Sequence, residues 1–193
     1  MAKNILFLFL IILGIDDVIA SERCQIEIVV IENKQTIAGI EDWSLRSEML
    51  DLKQAQTLIA LPQTRYQLLN IVDKFKHSRD YRVVYHVAWE QRLKQDNYSK
   101  SVYITGGKNI NFDDDSKLLS HEIEGVVSIM PSRNVFHTKV DFIFCKNRQH
   151  AEPLRFRLTN NGRLKQKELY YFDHPSFGLF VLVDPVSSEK FID

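Results

Sequence analysis

Glycine and proline are scarce and scattered, at seven and five residues in a chain of 193. No glycines form G-x-G-x-x-G or G-x-x-x-x-G-K, so the loops that cradle phosphates in nucleotide-binding folds are absent. G-x-S-x-G is missing as well, which removes the strand-to-helix elbow that presents a nucleophilic serine. No stretch approaches about 18 consecutive apolar residues, the length a membrane-spanning helix requires. An excess of one charge is also lacking. The 25 basic and 25 acidic side chains cancel, so no global field steers the chain to nucleic acid or to an anionic membrane.

What is present begins with the first twenty residues, MAKNILFLFLIILGIDDVIA. Lys3, the apolar run Ile5 to Leu13, and Val18 and Ala20 before Ser21 have the layout of a cleavable secretory signal. Export with loss of residues 1–20 is expected, leaving one domain over 21–193 with 24 basic and 23 acidic side chains. A lipid anchor on Cys24 is rejected, because Glu22 and Arg23 stand where a small residue is needed. Cys24 and Cys145 are the only cysteines, and both lie at the edges of strand-like runs. In an exported protein they can form one bridge or remain two unpaired thiols, and both readings stay open.

Periodicity along the chain describes an α+β fold: a mainly antiparallel sheet of hairpins with one principal packing helix. CQIEIVVIE (24–32) reads as a largely buried strand. Residues 34–61 are an undetermined connection with room for short helices, while QTRYQLLNIVDKFKHS (63–78) places Tyr66, Leu69, Val72 and Phe75 on one helical face. YRVVYHVAWEQ is a strand with apolar atoms on both faces, and SVYITGG is a short strand ending at Gly106-Gly107. LLSHEIEGVVSIM and VFHTKVDFIFC form a hairpin joined by the four residues PSRN. In its second arm Phe136, Thr138, Val140, Phe142 and Phe144 face the core. PLRFRLT and RLKQKELYYFD form another hairpin about the turn NNG at Asn160–Gly162, and GLFVLVDP is the last strand.

Chemistry-bearing residues are few. His121, Glu122 and Glu124 lie close in sequence, but on a strand the two glutamates share a face that the histidine does not. The acidic run Asp113–Asp115 lacks the alternating oxygens and the glycine of a calcium loop. No cofactor or metal is expected. Glycan hydrolysis calls for paired carboxylates across a cleft, and among Glu122, Glu124 and Glu168 no spacing singles out a pair. Cys145 follows strand residues and reads as buried or bridged rather than nucleophilic. In ELYYFDHPSFG, Asp173, Pro175 and Gly178 read as a structural corner, with the Asp173 side chain capping its own turn and Pro175 setting φ.

Three elements together resemble the CsiV family of periplasmic peptidoglycan-binding, cell-shape proteins. The first comprises Tyr81, Val83, His86, Trp89 and Gln91. The second is the Phe136-His137 pair, and the third runs through Glu168, Leu169, Tyr171, Asp173, His174, Pro175, Phe177 and Gly178. Asn134, Val135 and Tyr170 depart from the family pattern, and 34–61 is unmatched. The resemblance implies a non-catalytic periplasmic protein that binds peptidoglycan. It further implies support of wall synthesis and cell shape through an outer-membrane lipoprotein activator of a penicillin-binding protein. Sugar rings stack on aromatics and bond to polar groups, so the expected glycan contacts are His86, Trp89, His137, Tyr171 and His174, with Trp89 and Tyr171 reading at least as well as core residues. A protein–protein adaptor without glycan affinity is the alternative, and a wall hydrolase a third.

Overall fold

The computed structural model describes residues 21–35, 49–110, 121–148 and 151–186. The expected signal peptide and the acidic run 113–115 lie outside them, as do residues 36–48 of the 34–61 connection. In chain order the elements are β1 (Ser21–Asn33), β2 (Gln56–Thr57), a 3-10 turn (Gln63–Arg65), α1 (Leu69–Lys76), β3 (Tyr81–Lys94) and β4 (Val102–Asn109). They continue with β5 (His121–Ser132), β6 (Val135–Arg148), β7 (Ala151–Lys165), β8 (Leu169–His174) and β9 (Phe177–Pro185). The antiparallel strands and the single packing helix are as expected. The strands divide, however, between two sheets: sheet A in the order β3-β1-β9-β8 and sheet B in the order β2-β4-β5-β6-β7. The short β2 is parallel to β4.

Alternation explains the division of labour. Ile26, Ile28 and Val30 of β1 meet Val87 and Trp89 of β3 and Leu179, Val181 and Val183 of β9 in one cluster. The same cluster takes Ile123, Val127 and Ile129 from β5 and Phe136, Val140, Phe142 and Phe144 from β6, so the inner faces of both sheets share it. Each such side chain contributes about 1.5–3 kcal/mol on burial. The opposite face of sheet A presents Val29, Ile31 and Leu182, which Leu68 and Val72 cover. β1 is thus buried on both sides, which accounts for its nearly unbroken apolar run.

The helix is half as long as its periodicity suggests. Tyr66 is extended (φ −75°, ψ 137°), which separates the 3-10 turn from α1 and sets its ring 4.6 Å from that of His86. No side chain at the N-terminus of α1 caps it. The cap comes instead from β1: the Glu27 carboxylate accepts the backbone N–H groups of Gln67 (2.7 Å) and Leu68 (2.8 Å).

Three further expectations are corrected. Asn160–Gly162 is not a turn. It pairs with Val140, Lys139 and Thr138 inside one continuous β7 strand, and the chain turns at Gln166-Lys167 to enter the other sheet. Gly162 is required there by packing, since a Cβ would lie 2.6 Å from the Phe172 ring. The β5–β6 connection is the two residues Arg133 and Asn134, because Pro131 and Ser132 pair with Phe136 and Val135. SVYITGG does not end at its glycines, since β4 passes an irregularity after Gly106 and runs on to Asn109. Of the two states left open for the cysteines, the structure has free thiols at Cys24 and Cys145. Cys24 lies in the inter-sheet core, whereas Cys145 packs with Ile110 and Ile143 in a separate cluster.

Candidate functional site

β3 is the edge strand of sheet A, and its C-terminal half lines an open groove of about 570 Å³. That volume falls within the usual range for ligand sites, about 300–1,000 Å³. The groove is flanked by Gln56, Thr57 and Ile59 around β2 and by Asn97, Tyr98, Ser99 and Lys100 of the β3–β4 connection. This connection is firmly tied. Asp96 takes the left-handed conformation (φ 54°), and the N–H groups of Asp96 and Ser99 donate to the carbonyls of Pro131 and Ile129, both at 2.8 Å. The Gln91 side chain donates to the Lys100 carbonyl (3.1 Å) while its oxygen faces the Trp89 indole N–H (3.4 Å).

The groove is unevenly charged although the chain is not. Arg92, Lys94 and Lys100 line it with exposed side chains, and none forms an ion pair with a carboxylate among the described residues. The one acidic residue in the lining, Glu90, is engaged by Arg65 and by Arg23 (3.7 Å). Its remaining polar surface is amide and hydroxyl. These groups bind anions and hydrogen-bond donors and acceptors, and the groove presents no nucleophile paired with a base.

The five residues expected at a glycan site do not converge. Trp89 contributes to the groove but is only 2% exposed and belongs to the core. His86 lies on the opposite face of β3, its Nε2 2.7 Å from Glu27 Oε1, where it helps hold the start of α1. His137 stands on sheet B between Met130 and Arg163. Among the described residues Tyr171 and His174 share a cavity, a cleft of about 140 Å³ with Asp173, Pro175 and Gly178, too small for a muropeptide.

FDHPSFG does form a corner, the two-residue turn between β8 and β9 in which His174 pairs with Phe177. The capping role belongs to a different side chain from the one expected. His174 Nδ1 accepts the Ser176 N–H (3.1 Å), while Asp173 accepts the Tyr171 hydroxyl (3.0 Å). Burial pushes the His174 imidazole below its ordinary value, partly offset by the Asp173 charge. Gly178 admits the Tyr171 hydroxyl, which a Cβ would meet at 2.3 Å.

The acidic candidates are engaged in structural contacts. Glu122 binds Arg82 (2.9 Å) and the Lys108 N–H (2.9 Å), and Arg82 also reaches Glu32 (2.7 Å), joining the two sheets. Glu124 accepts the Tyr103 hydroxyl (2.8 Å), and Glu168 is paired on the surface with Lys165. Among the described residues no group of three His, Cys, Asp or Glu could hold a metal ion. Desolvation pushes the Cys24 and Cys145 thiols up to about 12 and about 11, unlike a reactive thiolate. Arg92, Lys94, Tyr98 and Lys100 are the residues that sequence reasoning passed over. Their signal was a local cluster of like charge at the end of a strand, masked by the overall neutrality.

Two mainly antiparallel sheets, a polar cationic groove and carboxylates committed to structural contacts describe a β-sheet protein suited to binding. The chain belongs to the CsiV family, described as "Peptidoglycan-binding protein, CsiV", which it matches over residues 4–186. A search of curated proteins finds no match. Among solved structures, the InvG secretin domain β-barrel from the Salmonella SPI-1 injectisome NC-base aligns with 90% of this chain at 7% identity and a TM-score of 0.34. The chain spans 66% of that structure's chain, just under two thirds, and a likeness of this degree carries no argument. No helix among the described residues is long and apolar enough to cross a membrane.

Proposed function

We propose that the protein is a non-catalytic, periplasmic peptidoglycan-binding factor, acting as a single domain over 21–193 after loss of residues 1–20. It supports wall synthesis and cell shape, with an outer-membrane lipoprotein activator of a penicillin-binding protein as its partner. Family membership supports the ligand, and the groove beside Trp89 is the observation that carries the reading. It offers a recessed surface with amides and hydroxyls for sugar and peptide groups, and cations for carboxylates. The test is cosedimentation with purified sacculi. The protein is expected in the pellet, and a protein wholly in the supernatant refutes the reading.

The second reading, an adaptor without glycan affinity, draws its support from the separate hydrogen bonds that occupy His86 and His174 and from a groove lining that includes neither. It predicts a protein partner recovered by crosslinking in cells without an intact wall, together with no binding to sacculi.

A further inference from the structure

We infer that the groove recognises the carboxylates of the peptidoglycan stem peptide rather than the faces of the sugars; this rests on the peptidoglycan-binding reading. Recognition of a sugar face requires an aromatic ring with a free face. The groove has two aromatic residues, and neither ring is fully available. Trp89 is buried to within 2% of its surface. Tyr98 is 40% exposed, but Lys139 Nζ covers its ring at 4.1 Å from the centroid. What the groove does present is Arg92, Lys94 and Lys100, with Glu90 already neutralised by arginines.

Peptidoglycan is an alternating amino-sugar polymer whose short peptides carry its free carboxylates. Three cations in one recess match that part of the polymer, and Arg92 can take a carboxylate on two parallel N–H groups. The Gln91 bond to the Lys100 carbonyl holds the loop that carries Lys100, so the backbone beneath that cation is fixed before the ligand arrives. Such binding weakens as salt is raised, whereas stacking on a ring does not.

The test uses protein purified after export of the full chain, with three probes: intact sacculi, peptide-free glycan strands from amidase treatment with the lactyl carboxylates freed by the cleavage capped as methyl amides, and the tripeptide L-Ala-D-Glu-diaminopimelate as a soluble competitor. Binding to sacculi is expected to be displaced by the tripeptide, to fall with salt, and to be absent on peptide-free strands. In the triple variant R92Q/K94Q/K100Q it is expected to weaken about tenfold or more, with an unchanged unfolding midpoint because these side chains are exposed. Equal binding to peptide-free strands, or full binding by the triple variant, overturns this inference and leaves peptidoglycan binding standing. No binding to any probe overturns both.

Discussion

Replacing Glu27 tests how α1 is held to the sheet. This carboxylate is fully buried on β1 and takes three hydrogen bonds, from the Gln67 N–H at 2.7 Å, the Leu68 N–H at 2.8 Å and the His86 imidazole at 2.7 Å. In Glu27→Ala the exposed Gln67 amide can turn to water, but the Leu68 amide and the His86 ring lose their partner where little water reaches. Two such groups at about 1–3 kcal/mol each put the cost at about 2–6 kcal/mol. That is a large fraction of the roughly 5–15 kcal/mol that stabilises a typical domain. Glu27→Gln keeps the shape and one acceptor oxygen and is expected to cost about half as much. Urea unfolding followed by circular dichroism gives both values.

The pH dependence provides an independent check. Burial alone would raise the Glu27 carboxyl, but the hydrogen bonds from His86, Gln67 and Leu68 outweigh it and hold the group below its ordinary value. A carboxyl depressed in the folded state contributes stability that is present above its unfolded value and lost as pH falls through the folded one. The parent is therefore expected to be more stable than Glu27→Gln at pH 7, with the gap closing on acidification. A Glu27→Ala variant within about 0.5 kcal/mol of the parent, the level of an ordinary surface change, would refute the capping role.

Other outcomes follow from the same contacts. Gly162→Ala is expected to cost about 1–3 kcal/mol by pressing on the Phe172 ring, and adding Phe172→Leu is expected to recover part of it; additive costs in a double-mutant cycle would contradict the contact. Both thiols are expected to be silent to a thiol reagent at pH 8 in the native protein and to appear as two per chain in denaturant, whereas no free thiol in denaturant would indicate a bridge. His174→Ala is expected to lower the unfolding midpoint through loss of the Ser176 acceptor while leaving sacculus binding intact; selective loss of binding would make His174 a contact residue. Because the folded-state His174 value is depressed, its contribution is present above the ordinary imidazole value and is lost as pH falls through the folded one. His174→Ala is expected to blunt that loss of stability.

Much of the architecture was readable along the chain, because a strand with one buried face must alternate. Phe136 to Phe144 therefore announced both their strand and their inward face, and the C-terminal motif announced the family. Local patterns failed where a distant segment supplied the deciding contact. A turn signal at Asn160–Gly162 lost to continuous pairing with β6 and to a ring from β8. The periodicity of residues 63–78 promised a long helix, but Tyr66 turned out to fill space against His86, and the cap came from Glu27, some forty residues earlier. The site residues fared worst, for a related reason. Aromatic and imidazole side chains serve cores and hydrogen-bond networks as readily as ligands, and only packing shows which faces remain open. Packing buried Trp89 and His174, tied His86 to Glu27, and left Arg92, Lys94 and Lys100 around one groove with no ion pair among the described residues. Composition and alternation decide which residues form strands, but they are blind to which side chains meet across the two sheets, and there the candidate site took its form.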